Sequence, residues 1–170
     1  MKLANKATGQ TSRDQGNKGF SMIELLMVLL VSTVLTAFAL PIAKDVVNSH
    51  RLNSAVDSAT WAVQSTRFQA LMEGYPFQVT LQGNSSGYNP TYQIASETIG
   101  ATTFSNVGSS VPLSGSPVQI SSTAILQFKP NGAVTMTVGG SSASSFQILY
   151  QGSSHTITVT NYGNVSVTSP

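Results

Sequence analysis

The longest apolar stretch of the chain extends from Phe20 to Ala39, and Glu24 is the one charged side chain among its twenty residues. As an α-helix that rises about 1.5 Å per residue, the stretch reaches about 30 Å, the thickness of the hydrocarbon core of a bilayer. A carboxylate in lipid costs roughly a few kcal/mol unless it is paired. The pattern therefore predicts a membrane-spanning helix in which Glu24 requires a partner.

A second apolar pattern follows the span and predicts that the helix continues over residues 44–73. Its apolar residues recur at spacings of four, three, four and seven, which places them on one stripe of an amphipathic helix: Leu52, Val56, Ala59, Val63 and Ala70. Gly74 is the predicted stop, with Pro76 just beyond it. Trp61 and Phe68 form a second apolar edge, which we expect in the core, with a partner interface as the alternative.

The membrane-spanning part of this helix contains a proline and several hydroxyl groups. Pro41 has no N–H and leaves the Ala37 carbonyl without its helical partner, which predicts a helix kink near the end of the span. Ser32 with Thr36, and Thr33 with Ala37, set small residues four positions apart. This spacing lets membrane helices approach closely. Hydroxyl groups that bond to their own helix backbone are the alternative interpretation.

After Gly74 the apolar period changes to two, and Gly, Pro, Asn and Ser separate the segments, which predicts antiparallel strands. The predicted strands cover residues 77–81, 92–95, 118–120, 124–129, 133–138, 146–150, 155–161 and 165–167. The fold class is therefore α+β, a long N-terminal helix packed on an antiparallel, sandwich-like β domain.

Two connections in this region have distinct compositions. Pro130 and Asn131-Gly132 are suited to a tight reversal and predict a hairpin over residues 126–136. Residues 96–117 are rich in Ser, Thr, Gly and Pro, and we predict that they form a long loop.

The basic residues are concentrated before the apolar stretch. Four of the eight Lys and Arg residues but one of the six acidic residues precede Phe20, so the net charge falls from +2 for the whole chain to −1 for residues 20–170. The basic segment stops at Gly19, whereas a secretory signal peptide has a shorter apolar region followed by a small-residue cleavage site. The charge predicts that residues 1–19 stay in the cytoplasm and that everything after Ala43 lies across the membrane.

The composition offers little material for catalysis or for binding a cofactor. The chain has no cysteine, and its two histidines, His50 and His155, have no ligand spacing around them. Five carboxylates after residue 19, one of them in the span, do not predict a catalytic acid pair. The basic residues after residue 19 are scattered, at Lys44, Arg51, Arg67 and Lys129. We therefore predict no enzyme activity, no cofactor, no metal and no DNA partner.

Residues 19–25, Gly-Phe-Ser-Met-Ile-Glu-Leu, with the apolar helix and Pro41 behind them, resemble the class III leader junction of type IV pilins and type II secretion pseudopilins. The resemblance implies that a prepilin peptidase cuts between Gly19 and Phe20, and that Phe20 is then N-methylated. It also implies a single-pass protein of the bacterial inner membrane that assembles with other pilins or pseudopilins on an inner-membrane platform.

The same resemblance implies a role for Glu24 in assembly. Its partner would be the Phe20 amine of a neighbouring subunit, since the two groups carry opposite charges at neutral pH and a nearby opposite charge offsets burial. A glutamate that reaches the helix end and stays in water is the alternative interpretation.

Three later segments, residues 66–74, 128–132 and 158–165, resemble the GspH/FimT branch of pseudopilins and minor pilins. In branch members credited with DNA uptake, basic residues follow the glycine that Gly163 matches here. This chain instead has Asn164, Val165 and Ser166 at those positions, which argues against DNA binding.

The predicted organisation has four parts: a leader over residues 1–19, the transmembrane half of the helix over 20–43, its amphipathic half over 44–74, and a periplasmic β domain over 75–170. The predicted function is that of a structural or priming minor subunit of a type IV pilus or a type II secretion pseudopilus. A DNA-binding minor pilin for natural transformation is the alternative. A membrane-tethered protein that never polymerises is a third hypothesis, and Glu24 argues against it.

Mass spectrometry of the mature protein is expected to find methylated Phe20 as the first residue. Gly19→Val should block processing, because it places a branched side chain beside the peptide bond that is cut. An N-terminus beyond Ala39 would contradict the leader hypothesis.

Overall fold

The computed structural model describes residues 19–83, 89–97 and 103–169. In these ranges the chain forms one long α-helix and eleven β-strands, and the predicted α+β class is confirmed. The chain divides into two compact units, the first ending at Pro41 and the second extending over Ile42–Pro170. Of the predicted leader, only Gly19 lies within the described residues.

Helix α1 (Met22–Glu73) contains 52 residues and ends where the sequence predicts. Gly74 follows with φ of +78°, a left-handed conformation that glycine adopts without a Cβ penalty, and its N–H donates to the Ala70 carbonyl at 3.3 Å. Just beyond, the Tyr75 hydroxyl donates a hydrogen bond to the Glu73 carboxylate at 2.6 Å, and this bond raises the pKa of Tyr75. The helix therefore has a defined C-terminal stop.

The predicted apolar stripe of α1 is confirmed, because all five of its side chains are buried. Ala55, Ala62 and Thr66 widen the buried stripe. The Thr66 hydroxyl donates to the Ala62 carbonyl at 2.7 Å, so this buried polar group is satisfied within the helix.

The expectation that Trp61 and Phe68 pack in the core is wrong. Trp61 is 60% exposed and Phe68 is 62% exposed. At 3.6 residues per turn, both point away from the stripe that contains Ala59 and Val63, which already fills the contact with the sheets. Seven-residue spacing placed the two aromatic residues on one face, and only the fold shows that this face lies outside the core.

The strands are β1 (Phe77–Gln82), β2 (Thr91–Glu97), β3 (Phe104–Asn106), β4 (Val111–Pro112), β5 (Gln119–Ile120), β6 (Ala124–Phe128), β7 (Val134–Val138), β8 (Ser141–Ser142), β9 (Ser145–Tyr150), β10 (Ser153–Val159) and β11 (Val165–Thr168). Each of the predicted strands is present, with its ends shifted by at most two residues. β3, β4 and β8 are additional strands that the pattern did not predict.

The strands form two antiparallel sheets. The seven-stranded sheet has the order β3-β2-β1-β6-β7-β8, with β4 also paired to β2, and the four-stranded sheet has the order β11-β10-β9-β5. One hydrophobic cluster contains side chains from α1 and from both sheets, including Val63, Leu126 and Ile157. The helix stripe and the inner faces of the two sheets thus share a single core.

The predicted loop over residues 96–117 is wrong in part, because its described residues include β3 and β4. Residues 98–102 of this prediction lie outside the described residues. The N–H groups of Val107 and Leu113 donate to the carbonyls of Ile94 and Pro90, at 2.8 and 2.9 Å. These strands are held by backbone hydrogen bonds to an existing strand edge. Such pairing does not require alternating apolar side chains, so no periodic signal marks these strands in the sequence.

The predicted hairpin is confirmed as β6 and β7, with Phe128 opposite Val134. Gly132 has φ of +82°, and the Asn131 side-chain oxygen accepts a hydrogen bond from the Ala133 N–H at 3.0 Å. The turn residues therefore act as their chemistry predicts, with asparagine bonding to the backbone two residues on and glycine in the left-handed region.

The outward faces of the sheets carry amide and hydroxyl side chains. In the seven-stranded sheet, Gln127 Nε2 donates to Gln78 Oε1 at 3.1 Å, and Gln78 Nε2 donates to Thr80 Oγ1 at 3.1 Å. The four-stranded sheet has an amide-to-hydroxyl bond of the same kind between β9 and β10. Residues 75–170 contain two charged side chains in total. The β domain is therefore hydrated through neutral hydrogen-bonding groups.

The segment before β5 approaches α1 closely at Gly115. Its φ is +79°, and a Cβ added there would overlap the Arg51 carbonyl oxygen and lie 3.1 Å from the Ala55 nitrogen. Leu113 and Val118, on either side, are buried. Glycine at this position lets the segment cover the helix.

Gly115→Ala should lower the melting temperature more than Gly108→Ala. The two glycines have φ of +79° and +77°, and alanine in this conformation costs roughly 1–2 kcal/mol at either. A Cβ at Gly108 meets nothing within 4 Å, so the clash with the helix backbone is specific to Gly115. Circular dichroism melts of the full chain in detergent measure the difference, and equal melting temperatures would contradict the close approach.

Candidate functional site

The junction between the polar segment and the apolar helix is exposed in the single chain. Phe20 is 81% exposed and lies just before α1. The Leu25 N–H donates to the Ser21 carbonyl at 3.1 Å, so the first helical turn closes directly after Phe20. Glu24 is the acidic residue of this turn, where the helix dipole favours a negative charge.

Gly19 lies in open space. A Cβ added at this position would meet nothing within 4 Å. The fold therefore does not require glycine here. A requirement for glycine at position 19 would have to come from a molecule that binds the junction.

The apolar part of α1 has the length and composition to cross a membrane, and none of its most apolar window is buried within the structure. Around its start, Phe20, Leu25, Val28 and Leu29 line a cleft of about 330 Å³. Helices in lipid associate by close packing of their side chains, and an ionisable group there pairs with a partner. This segment has an apolar surface for packing and one carboxylate for pairing.

The hydroxyl groups of the span bond to their own helix backbone. Ser32 Oγ donates to the Val28 carbonyl at 2.7 Å, Thr33 Oγ1 to the Leu30 carbonyl at 2.8 Å, and Thr36 Oγ1 to the Ser32 carbonyl at 2.7 Å. Of the two interpretations of these residues, the bonds agree with the one in which hydroxyl groups bond to their own helix backbone. The hydroxyl groups are thereby satisfied without a polar partner in lipid.

Pro41 lies inside α1, which is continuous from Met22 to Glu73. It also marks the end of the first compact unit. The predicted kink at Pro41 remains a prediction.

In the second unit, two clefts border the exposed side of α1. The first, which we call the basic cleft, has a volume of about 610 Å³. It is lined by Gln64, Arg67, Phe68 and Leu71 of the helix and by residues 163–165, which lead into β11. Arg67 is the one charged residue in this lining.

Arg67 is packed tightly against the turn before β11. Gly163 has φ of +76°, and a Cβ added there would lie 2.8 Å from both Cδ and Nε of Arg67. Arg67 Nε is buried and has no hydrogen-bond partner among the residues that the structure describes. A buried donor that lacks a partner costs about 1–3 kcal/mol, and more when the group is charged. The side chain is therefore under-satisfied in the isolated chain.

The second cleft, which we call the acidic cleft, has a volume of about 670 Å³. Its helix residues are Ser54, Asp57, Ser58 and Trp61, and the β domain contributes Tyr92, Val111, Pro112 and Ser114. Asp57 is exposed and is the one charged residue in the lining. Each cleft thus combines one charge with one exposed aromatic side chain.

The other arginine of the helix has a partner. Arg51 donates from Nη1 to the Tyr150 hydroxyl at 2.9 Å. The helix rise separates Arg51 from Arg67 by about 24 Å, so these two residues do not form one basic patch. The absence of a DNA partner stays a prediction.

Within the described residues, no group of three or more His, Cys, Asp or Glu side chains could hold a metal ion. His50 Nδ1 lies 3.3 Å from Ser54 Oγ, and His155 Nδ1 lies 3.0 Å from Ser169 Oγ. Each histidine has a hydroxyl neighbour, as ordinary surface histidines do. The absence of enzyme activity and of a cofactor stays a prediction.

Residues 14–40 match the family model described as the prokaryotic N-terminal methylation motif. The matched segment includes the junction at Gly19 and the apolar part of α1. Comparison with curated proteins and with solved structures gave no match.

The motif indicates a prepilin of the type IV pilin type. It implies processing by a prepilin peptidase and assembly with pilins, and the apolar helix is consistent with a membrane-anchored pilin. Proteins defined by this motif are structural rather than enzymatic.

The sequence predicts a site at the junction residues but gives no sign of the basic cleft. Gly19, Phe20 and Glu24 stand within one short motif, whereas Arg67 and Gly163 are far apart in the sequence and meet through the fold. In the sequence, Arg67 is one of four scattered basic residues after residue 19. A glycine in a turn carries no information about the side chain that packs on it.

Arg67→Met should leave the free energy of unfolding unchanged or raise it by about 1 kcal/mol, because it removes a buried donor that has no partner and keeps the apolar stem. Arg51→Met is the matched control and should lower it by about 1–3 kcal/mol through loss of a bond from a charged donor. Urea unfolding of the full chain in detergent, followed by circular dichroism, compares the two. An equal loss in both variants would contradict this interpretation of Arg67.

Proposed function

We propose that the protein is a structural or priming minor subunit of a type IV pilus or a type II secretion pseudopilus. The observation that carries the proposal is the match of residues 14–40 to the N-terminal methylation motif, on a helix that has the length and composition to cross a membrane.

Processing is proposed to occur between Gly19 and Phe20, followed by methylation of the Phe20 amine. Two features support this proposal. Phe20 is 81% exposed ahead of the helix, so an enzyme can reach the peptide bond. Gly19 has open space around it, so the fold does not explain why glycine stands there, while a peptidase that binds the junction would.

Residues 20–43 are proposed to cross the inner membrane once, with the N-terminus in the cytoplasm and the domain over residues 75–170 in the periplasm. The four basic residues before Phe20 support this orientation, because positive charge flanking a span is retained on the cytoplasmic side.

Glu24 is proposed to guide assembly by pairing with the Phe20 amine of a neighbouring subunit. After cleavage, the amine and the carboxylate stand one helical turn apart in each subunit, at the start of an apolar segment. If one subunit is displaced along its neighbour by about one helical turn, its Glu24 carboxylate lies beside the neighbour's Phe20 amine. The attraction between these charges would offset the cost of an ion in lipid.

The further proposal of a GspH/FimT-like subunit rests on three segments. Residues 66–74 form the end of α1, residues 128–132 lie at the β6–β7 turn, and residues 158–165 connect β10 to β11. All three segments lie at the end of a helix or at a turn between strands, where glycine, asparagine and proline favour the change of chain direction.

Glu24→Ala should remove the subunit from filaments while membrane insertion, leader cleavage and folding continue. The variant helix is more apolar, so insertion does not suffer. Without the carboxylate, the neighbouring amine is an unpaired ion in lipid, and a deficit near 3 kcal/mol lowers association by roughly a hundredfold. Immunoblots of the sheared filament fraction and of the membrane fraction of one strain measure the two effects.

Met27→Ala is the control for this experiment. Met27 lies in the same exposed apolar segment, and its truncation leaves both charges in place, so incorporation should stay close to that of the wild type. Equal incorporation of Glu24→Ala and wild type would refute the pairing and leave Glu24 as a tolerated carboxylate near the helix end.

A further inference from the structure

We propose that the acidic cleft of one subunit packs against the basic cleft of a second copy of this chain, with Asp57 of one copy paired to Arg67 of the next. This inference rests on the proposed function, since a filament is what holds copies side by side. It adds that the subunit occurs in adjacent copies and names the surfaces that meet.

The two clefts flank the exposed side of α1. Asp57 in the acidic cleft and Arg67 in the basic cleft are ten residues apart, which at 3.6 residues per turn leaves them about 80° apart around the helix axis. The acidic cleft is completed by Tyr92 and β4, whereas residues 163–165 complete the basic cleft. One copy therefore presents its acidic and basic clefts in different directions, as a repeating contact between copies requires.

The two charges cannot pair within one copy. Asp57 and Arg67 are ten residues apart on one helix, which corresponds to about 15 Å along the axis. Side chains three or four positions away on a helix are the ones that reach each other. At those positions both residues have uncharged neighbours. Each charge is thus left available for a residue outside its own helix.

Arg67 shows the larger need for a partner. Its Nε is buried without an acceptor in the described part of the chain, although the residue lines an open cleft of about 610 Å³. A carboxylate bound to a guanidinium forms short, charge-assisted hydrogen bonds, often two at once. A carboxylate placed in the basic cleft would offset the desolvation of Arg67. The lining of the cleft contains no carboxylate of its own.

A second copy is the occupant that the charges favour. Residues 20–170 have a net charge of −1 and few charged side chains, and one of the carboxylates lies in the cleft that is complementary in charge. Trp61 in the acidic cleft and Phe68 in the basic cleft are both more than half exposed. Aromatic side chains beside an arginine are the residues that most often dominate protein interfaces.

Anchoring in one membrane determines the symmetry of the contact. Copies inserted in the same direction have parallel helices, and a two-fold axis between parallel helices would place Asp57 opposite Asp57. Contact between Asp57 and Arg67 instead requires an axial offset of ten residues, about 15 Å. Such a contact uses different surfaces on the two copies, and it continues as an open array unless a rotation closes it.

Disulfide cross-linking tests the offset without removing the charges. Ser54 lies in the acidic cleft and Gln64 in the basic cleft, with the same ten-residue separation as the ion pair. The chain has no cysteine of its own. In the Ser54→Cys/Gln64→Cys variant, the two positions are about 15 Å apart in one copy, beyond the Cα separation of about 7 Å that a disulfide allows. A disulfide can therefore form only between copies.

Mild oxidation of cells that carry this variant should give a ladder of dimers, trimers and higher species on a non-reducing gel. Each single-cysteine variant should give no species beyond a dimer. Adding Asp57→Asn or Arg67→Gln should lower the cross-link yield about five- to tenfold, the effect of one close ion pair at an interface. The charge exchange Asp57→Arg/Arg67→Asp should recover the yield, which general damage to the fold would not do.

The outcomes separate this inference from the proposed function. A variant that is processed at Gly19 and enters sheared filaments without cross-linking would overturn the interface and leave the filament role standing. A ladder in a chain that stays in the membrane fraction would support the interface and contradict the filament role. Neither cross-links nor incorporation would refute both.

Two further results would overturn the choice of occupant. Cross-linking to a different protein, with no homotypic ladder, would show that the neighbour is not a copy of this chain. Duplex DNA that is retained by the wild-type chain in detergent, but not by Arg67→Gln, would show that the basic cleft is a nucleic-acid site.

Discussion

Helix α1 exposes apolar side chains along its first part and buries a stripe of small side chains along its second part, and the strands pack only on the second part. Over residues 22–43 its apolar side chains are exposed on all sides. In the second part, a narrow stripe rich in alanine is buried against both sheets. Small side chains let the β domain approach the helix backbone, as the contact at Gly115 shows. The same narrowness leaves the opposite side of the helix free, with Trp61 and Phe68 exposed.

Much of the fold could be predicted from local pattern, because periodicity reports burial wherever a strand or helix packs one face on a core. The buried stripe of α1, the stop at Gly74 and the hairpin of β6 and β7 follow from that rule. β3 and β4 do not, since backbone pairing to the edge of β2 determines them. Trp61 and Phe68 show the related limit that periodicity identifies a face without saying whether another element covers it.

The two parts of the candidate site differ in the same way. The junction at Gly19 and Phe20, together with Glu24, is a contiguous motif, so the order of the residues alone indicates it, and the family match covers the same segment. The basic cleft exists only after the turn at Gly163 has folded onto Arg67. The under-satisfied guanidinium likewise arises from the contacts of the folded chain and not from the order of its residues.

The neutral amide and hydroxyl groups on the outer sheet faces make this surface insensitive to salt concentration. Charged surfaces attract or repel within the Debye length, which falls from about 30 Å at 0.01 M salt to about 10 Å at 0.1 M. A domain with two charged side chains in residues 75–170 produces little field for added ions to screen. The approach of other molecules to these faces is therefore governed by the exchange of bound water, and it changes little between dilute and saline surroundings.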